Sequence, residues 1–161
     1  MSCSSAEKLL ALLRSHHITL ATAESCTGGM IGETVTSLSG ASEVYLGGVI
    51  SYSNEIKEKV LGVSCLTLEN FGAVSVETAA EMAEGARHLT GAGIAVSVTG
   101  IAGPTGGTED KPVGTVCFGI ASANGIVTYR EQFGADRSRD EIRRAAVDFA
   151  LRAVYKAASE L

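Results

Sequence analysis

The stretch ATAESCTGGM, residues 21–30, places an acid, a serine, a cysteine and a threonine directly before two glycines. A small, apolar strand is predicted to end there and a helix to begin. Ser25 could act as a nucleophile at this point. The backbone N–H groups of residues 27–29 could hold a phosphate, a carboxylate or a developing oxyanion. In the alternative, Ser25 or Thr27 simply caps the helix, and this turn alone leaves both interpretations open.

A nucleophilic serine needs a base, and the histidines are poorly placed to supply one. His16 and His17 end the first predicted helix, His88 falls inside another, and no G-x-S-x-G turn is present. Lys57 is the candidate base because it follows the second predicted strand by a few residues. A lysine acts as a base only where burial or nearby positive charge lowers its pKa. Tyr52 could relay the proton or hold the lysine, and a solvated helix position is the alternative for Lys57.

Two further features of the sequence could take part in the same chemistry. Cys26 is a rival nucleophile, because a helix N-terminus lowers the pKa of a thiol, although a cysteine among small apolar residues is usually a packing group. The loop TGIAGPTGG offers a hydroxyl at Thr99 and close backbone approach at Gly100 and Gly103. This loop does not match the phosphate-loop pattern, and a turn without a ligand is its alternative.

The elements predicted around these residues form an α/β pattern. Strands are predicted over residues 18–23, 43–53 and 93–100, each followed by one of the polar loops. Ligands bind at the carboxyl ends of strands in open α/β sheets, so neighbouring strands would bring the three loops to one pocket. Two further strand-like runs flank Asn124-Gly125, the preferred pair for a tight hairpin turn.

Capping signals predict where the helices begin and end. Ser4 and Glu7 have capping-box spacing at the first helix, which is followed by a helix ending near residue 40. Asn54 is predicted to cap a short helix, and a long helix runs from the cap Ser75 to the terminator Gly91. An amphipathic helix closes the chain. We therefore expect one α/β domain over residues 1–161, with three α/β/α layers, a mixed, mainly parallel sheet and one hairpin in the C-terminal half.

Composition excludes several classes of function. The net charge is −5 and no basic stripe carries interleaved aromatic residues, so we expect no direct nucleic-acid partner. No apolar run is long enough to cross a bilayer, and no secretory signal opens the chain, so we expect no membrane partner and a cytoplasmic location. The cysteines, which we expect to be reduced, have no metal-ligand spacing; they are Cys3, Cys26, Cys65 and Cys117.

Four segments, taken together and in this order, resemble one known family. They are TAESCTGGMIGETVT, GGVISYSNEIKEKVLGV, GAVSVETAAEMAEGAR and AVSVTGIAGPTGGTEDKPVGTVCFGIA. The sequence resembles the C-terminal domain of the CinA competence/damage-inducible proteins over almost its whole length. That family includes stand-alone nicotinamide-nucleotide amidases.

The resemblance implies hydrolysis of the carboxamide of nicotinamide mononucleotide, a step of pyridine nucleotide recycling, without a metal or cofactor. It implies that Ser25 is the nucleophile and that Tyr52 and Lys57 activate it. It also implies a homo-oligomer. Two alternative functions stay open: a non-catalytic nucleotide-binding or regulatory module of the competence/damage type, and a partner of DNA-repair proteins. The predicted substrate-binding residues outside the arginines are Thr27, Gly28, Gly29, Asn54, Thr99, Gly100, Ala102 and Gly103.

Arginines before the last helix are the predicted phosphate ligands, because a guanidinium suits bidentate phosphate contact. The family often carries GDRxxxR there, whereas this chain has GADRSRDEIRR. Arg137 keeps the Asp-Arg pair, and Arg139 and Arg143 keep the spacing of four residues. The sequence leaves open which of the three contacts the phosphate.

Overall fold

A computed structural model describes residues 4–161 of the chain, and Cys3 lies outside the described residues. The helices are α1 (Ser5–Ser15), α2 (Met30–Thr36), α3 (Asn54–Leu61), α4 (Cys65–Phe71), α5 (Val76–Thr90) and α6 (Arg139–Ala158). The strands are β1 (Leu20–Glu24), β2 (Tyr45–Ile50), β3 (Ile94–Gly100), β4 (Thr115–Ser122) and β5 (Gly125–Gln132). A short 3-10 turn, Ala41–Glu43, precedes β2.

The strands form one mixed sheet in the order β2-β1-β3-β4-β5. Strand β1 lies parallel to both β2 and β3, whereas β4 is antiparallel to β3 and β5 is antiparallel to β4. Four of the five strands therefore point in the same direction, and only β4 is reversed. The mixed, mainly parallel sheet and its C-terminal-half hairpin confirm the predicted fold class.

Helices cover both faces of the sheet and give the molecule three layers. Alternate residues of β3 show the division, because Ile94, Val96 and Val98 pack in the same core as α1, α2 and α6. Ala95 belongs to a second, smaller core with residues of α3 and α5. Ser97 points to the same side, where its hydroxyl donates to the carbonyl of Ala79 in α5. The α/β/α arrangement follows from this period-two alternation along buried strands.

Several predicted caps are confirmed. Ser4 and Glu7 form a reciprocal capping box at α1. The Ser75 side chain accepts from the backbone N–H of Thr78, the third residue of α5. Gly91 ends α5 with a left-handed φ of 72°. Each of these signals depends only on neighbours in sequence, which is why the sequence alone identified them.

The cap of α3 and the end of α2 differ from the prediction. Ser53, not Asn54, caps α3, because its hydroxyl accepts from the N–H of Ile56. Helix α2 ends at Thr36 rather than near residue 40. The Thr36 hydroxyl donates back to the carbonyl of Gly32, and such side-chain bonds compete with continuation of a helix.

The hairpin is present, but its turn lies one residue earlier than predicted. Ser122 pairs with Gly125, so Ala123 and Asn124 form the loop. Gly125 is the first residue of β5 and has a φ of 104°, which fits a type I turn followed by a glycine bulge. Helix α4 was not predicted, and no residue of it is fully buried, so no amphipathic pattern marks it. Among residues 4–161, no helix combines the length and the apolarity needed to span a bilayer.

Candidate active site

Ser25 lies at the carboxyl end of β1, between the ends of the two strands that flank it. Its backbone N–H donates to the carbonyl of Val98, which extends the β1–β3 pairing by one residue. On the other side, the N–H of Ser51 donates to the carbonyl of Glu24. Ser25 is only 8% exposed, yet it lines a cavity at this edge of the sheet. The predicted convergence of the loops after β1, β2 and β3 is therefore observed.

Lys57 brings its amine to Ser25 from the first turns of α3. Its Nζ lies 3.1 Å from Ser25 Oγ, 2.7 Å from the carbonyl oxygen of Ser51 and 3.3 Å from that of Tyr52. The residue is 1% exposed. The Ser53 cap fixes where α3 begins and so directs Lys57 inward, which makes the solvated helix position proposed as its alternative wrong.

Burial lowers the pKa of Lys57, and a smaller opposing effect comes from Cys26. Within the described part of the chain, no carboxylate forms an ion pair with this amine. A neutral amine has two N–H groups and one lone pair. If the carbonyls of Ser51 and Tyr52 accept the two N–H groups, the lone pair faces the hydroxyl of Ser25. The arrangement can therefore take a proton from Ser25, and the ammonium that results can donate to all three oxygens.

Cys26 is a poor nucleophile in this environment. Burial raises the pKa of the Cys26 thiol to about 12, against smaller lowering effects that include the charge of Arg143. The reactive form of a cysteine is the thiolate, so at neutral pH this side chain is a protonated packing group. It lies in the core that α6 covers.

Tyr52 contacts Lys57 through its backbone rather than its hydroxyl. The side chain is 63% exposed, and its Oη accepts from Arg139 Nη2 at 3.1 Å. Tyr52 therefore lies at the mouth of the cavity and lines it together with Arg139. A proton relay through the tyrosine hydroxyl stays a prediction.

The cavity beside Ser25 has a volume of about 230 Å³. Thr99 and Gly100, the last two residues of β3, and Ala102 in the loop that follows line it, and their contact with a substrate stays a prediction. The Thr99 hydroxyl donates to the carbonyl of Ala73 at 2.7 Å, so it holds the segment that forms the opposite wall. A larger open groove of about 570 Å³ lies between α3 and α5, and none of the predicted site residues line it.

The other predicted substrate ligands do not line this cavity; they are Thr27, Gly28, Gly29, Asn54, Gly103, Arg137 and Arg143. Gly103 is nevertheless adjacent, because its carbonyl accepts from Arg139 Nη1 at 2.8 Å. Arg143 Nε donates to the carbonyl of Cys26 at 3.0 Å, and its Nη2 donates to that of Thr27 at 3.1 Å. Of the three arginines, only Arg139 reaches the cavity.

Glu24 also belongs to the site, although the sequence predicted no role for it. It is 2% exposed, and its Oε1 accepts from Thr27 Oγ1 at 2.7 Å and from the N–H of Ile31 at 2.9 Å. Its Oε2 accepts from the N–H of Gly32 at 3.1 Å. Glu24 therefore occupies two N–H groups in the first turn of α2, whereas the N–H groups predicted to hold a substrate's charge were those of residues 27–29. Of these three, the N–H of Gly28 donates to the carbonyl of Ser25. An acid just before a helix start is the signal that could have indicated this.

Within residues 4–161, no cluster of histidine, cysteine, aspartate and glutamate side chains could hold a metal ion. The fold and the site define a class of protein: a three-layer α/β/α domain with a buried serine–lysine pair at the carboxyl edge of its parallel strands. A family model described as the CinA C-terminal domain matches residues 3–158. The chain therefore belongs to the CinA C-terminal domain family.

Relatives carry competence-related names and are longer than this chain. A putative competence-damage inducible protein of Thermoanaerobacter sp. (strain X514) is 50% identical over 137 residues, which make up 85% of this chain and 33% of that protein. A CinA-like protein of Synechococcus sp. (strain RCC307) is 49% identical over 148 residues, 92% of this chain and 36% of that protein. The chain thus spans about a third of the length of these curated relatives.

Solved structures with the same fold match the chain from end to end. The competence/damage inducible protein CihA from Agrobacterium tumefaciens has a TM-score of 0.89 and 40% identity, and the match covers 99% of both chains. A competence-damaged protein (CinA) superfamily protein from Klebsiella pneumoniae has a TM-score of 0.92 and 33% identity, and the match covers 98% of this chain and 97% of that one.

Proposed function

We propose that this protein is a serine amidase that hydrolyses the carboxamide of nicotinamide mononucleotide to nicotinate mononucleotide and ammonia. The substrate is the one that the resemblance to the CinA family implies. The observation that carries the proposal is the contact of 3.1 Å between Lys57 Nζ and Ser25 Oγ. A lysine that is buried, hydrogen-bonded to a serine and, within residues 4–161, not ion-paired with a carboxylate has the properties required of a general base.

The proposed reaction proceeds through an acyl-enzyme. Ser25 Oγ attacks the carboxamide carbon while neutral Lys57 takes the hydroxyl proton. The C–N bond then breaks, and Lys57 returns the proton to the leaving nitrogen, which departs as ammonia. A water molecule attacks the ester, with Lys57 again as the base, and releases the carboxylate and Ser25. One water is consumed, and no oxidant or reductant is needed.

The backbone N–H of Cys26 is the candidate donor to the oxyanion. It follows the nucleophile directly, and within residues 4–161 it donates to no other residue, its one hydrogen bond being to its own thiol. In other serine hydrolases the N–H of the residue after the nucleophile has this role. Cys26 lines the cavity, so its backbone is close to the place where the tetrahedral intermediate would form.

Arg139 is the candidate phosphate ligand. It is exposed at the mouth of the cavity, and its guanidinium donates to two neutral acceptors, the carbonyl of Gly103 and the hydroxyl of Tyr52. An anionic oxygen is a stronger acceptor than either of them. Arg143 is a weaker candidate, because its guanidinium already donates to two backbone carbonyls.

The test is ammonia release from nicotinamide mononucleotide by the purified protein and its variants. We expect turnover by the parent and none by Ser25→Ala. We expect Lys57→Ala to lower kcat by about 10²–10⁴-fold, the range that general-base catalysis contributes. Lys59→Ala is the matched control, because Lys59 is an exposed lysine of the same helix, and it should retain parental activity.

Three outcomes would change the assignment. A folded parent without turnover would contradict the amidase and favour the nucleotide-binding module. Turnover that survives Ser25→Ala would identify another nucleophile, with Cys26 tested next by Cys26→Ala. Equal losses in Lys57→Ala and Lys59→Ala would mean that the buried amine is not the base.

A further inference from the structure

The turn that carries Ser25 is closed by two backbone hydrogen bonds, from the N–H of Gly28 to the carbonyl of Ser25 and from the N–H of Met30 to the carbonyl of Thr27. Gly28 and Gly29 both have positive φ, 58° and 104°, and Gly29 occupies the N-cap position of α2 without a side chain to cap it. Glycines in this position leave the backbone many alternatives. Side chains that bind the backbone of this turn therefore add to the two backbone bonds in holding the nucleophile in position.

Glu24 holds the turn by accepting hydrogen bonds from donors in the turn and in the first turn of α2. Its carboxylate is buried and accepts one hydroxyl and two backbone N–H groups, from Thr27, Ile31 and Gly32. Because Glu24 is the peptide neighbour of Ser25, these bonds close the chain into a loop that begins beside the nucleophile and ends in the first turn of α2. The carboxylate thus does the work of the missing N-cap.

Arg143 holds the same turn by donating hydrogen bonds to its backbone carbonyls. From α6, its guanidinium donates to the carbonyls of Cys26 and Thr27, at 3.0 and 3.1 Å. These are the two residues after Ser25. The half-buried Arg143 therefore fixes the carbonyl side of the turn, while Glu24 fixes the side of the N–H groups and the Thr27 hydroxyl.

We propose that Glu24 and Arg143 are positioning residues, which bracket the turn from both sides and hold Ser25 Oγ against Lys57 Nζ. The proposal rests on the proposed function, in which Ser25 is the nucleophile. Neither residue lines the cavity, so both act through Ser25 rather than on the substrate. The assignment removes Arg143 from the candidate phosphate ligands and gives it a role in catalytic geometry.

The first experiment separates kcat from KM for ammonia release. In Glu24→Gln the side chain keeps its shape, but its amide nitrogen cannot accept an N–H. We expect Glu24→Gln and Arg143→Gln each to lower kcat about 10- to 100-fold with KM within about twofold, because small misplacements of a reacting atom are costly. The matched controls are Glu33→Gln, an exposed acid of α2, and Arg144→Gln, an exposed arginine of α6. Both should retain parental kcat and KM.

The second experiment needs no nucleotide. A fluorophosphonate probe reacts with an activated serine: the Oγ–P bond forms, the P–F bond breaks, fluoride leaves and the base takes the proton. Intact mass spectrometry gives the rate of labelling. We expect labelling of Glu24→Gln and Arg143→Gln to slow by the same factor as kcat, and the pH midpoint of labelling to stay that of the parent. Thr27→Val should also slow it, whereas Thr27→Ser, which keeps the hydroxyl, should restore most of the rate.

The outcomes distinguish this proposal from the proposed function. Parental labelling rates in folded Glu24→Gln and Thr27→Val would overturn the role of Glu24. A raised KM with unchanged kcat in Arg143→Gln would make Arg143 a substrate ligand instead. Labelling of a parent that releases no ammonia from nicotinamide mononucleotide would overturn only the substrate. A parent that is not labelled at all would overturn both proposals. Circular dichroism and thermal melting establish which variants fold. If Glu24→Gln does not fold, Thr27→Val is used in its place.

Discussion

Lys57 and Lys59 show how the same residue type takes opposite roles two positions apart. Lys59 is exposed and pairs with Glu55 one turn earlier on α3. Lys57 is 1% exposed, and among residues 4–161 its amine hydrogen-bonds to one hydroxyl and two carbonyl oxygens. Removing an ammonium from water without a carboxylate beside it favours the neutral amine. The same burial that costs stability lowers the pKa of Lys57, which suits it to the role of base in the proposed reaction.

Lys57→Met should remove a pH dependence of stability that the parent has. The folded protein holds Lys57 with a pKa below its ordinary value of 10.5, so between the two pKa values the unfolded chain binds more protons. Stability conferred by the neutral amine is therefore complete above 10.5 and is lost as the pH falls through the folded pKa. We expect the free energy of unfolding of the parent, minus that of Lys57→Met, to rise with pH in this window by up to about 1.4 kcal/mol per pH unit.

Urea unfolding from pH 7 upward measures this difference, since titration of the other groups cancels between parent and variant. Lys59→Met is the control, and its difference from the parent should not follow the same curve because Lys59 is exposed. A flat difference for Lys57→Met up to pH 10.5 would show that the folded pKa is an ordinary one.

Helix α3 is held in place by an unusually close approach to α5. A Cβ atom added to Gly85 in α5 would overlap the backbone carbonyl of Leu61, the last residue of α3. The contact involves backbone, which cannot rotate away as a side chain can. The same helix carries Lys57, so the crossing of α3 and α5 decides how deeply the amine enters the site.

Gly85→Ala tests this crossing, because two effects predict opposite signs. Helix propensity alone predicts a gain in stability of about 1 kcal/mol. The overlap with Leu61 predicts a loss of about 1–3 kcal/mol, as in other overpacked cores. We expect the loss, measured by urea unfolding, together with slower fluorophosphonate labelling of Ser25. Leu89→Ala, at an exposed position of the same helix, is the control, and a stabilised Gly85→Ala would refute the close packing.

The molecule as a whole has two unequal cores, one on each face of the sheet. The core under α1, α2 and α6 contains most of the buried aliphatic side chains and Phe118. There Phe118 packs against Phe149 with ring centroids 4.5 Å apart and against Phe133 at 6.3 Å. The core under α5 consists largely of alanines with Met82 and Leu61. Small residues let α5 approach the sheet closely, and they leave most of the apolar burial to the other face.

Phe118→Ala should therefore be among the more damaging core substitutions. Phe118 is fully buried in β4, and truncating a buried phenylalanine costs about 3–5 kcal/mol. Phe71→Ala, in the exposed helix α4, should cost about 1 kcal/mol or less. Urea unfolding followed by circular dichroism gives both values. Similar losses in the two variants would contradict the unequal division of the core.

The sequence predicted the elements better than their boundaries. Buried strands, the caps of α1 and α5 and the hairpin all depend on local patterns, so they could be recognised without a structure. The cap of α3 and the turn between β4 and β5 were each displaced by one residue. Neighbouring residues of suitable type compete there, as Ser53 does with Asn54, and only the three-dimensional path of the chain selects between them.

Within the site, the positions of Ser25 and Lys57 could be predicted from the sequence, whereas the contacts of Glu24, Tyr52 and Arg143 could not. The first two could be predicted because the ends of neighbouring parallel strands must meet at one edge of the sheet. The carboxylate of Glu24 was overlooked because a helix N-terminus attracts a ligand and a protein side chain by the same electrostatics. The sequence gives the residue types, but it does not show whether a ligand or a side chain of the protein accepts from the N–H groups.

The amino-acid sequence by itself determined the layered α/β fold and the end of the sheet where polar loops gather, since both follow from the periodicity of apolar residues and the positions of the turns. Only the tertiary structure decided which side chains turn inward. It buried the amine of Lys57, directed the hydroxyl of Tyr52 to Arg139 and attached Arg143 to the backbone beside Ser25. These choices depend on contacts between residues up to 117 positions apart in the chain, and such contacts are made by packing rather than by local pattern.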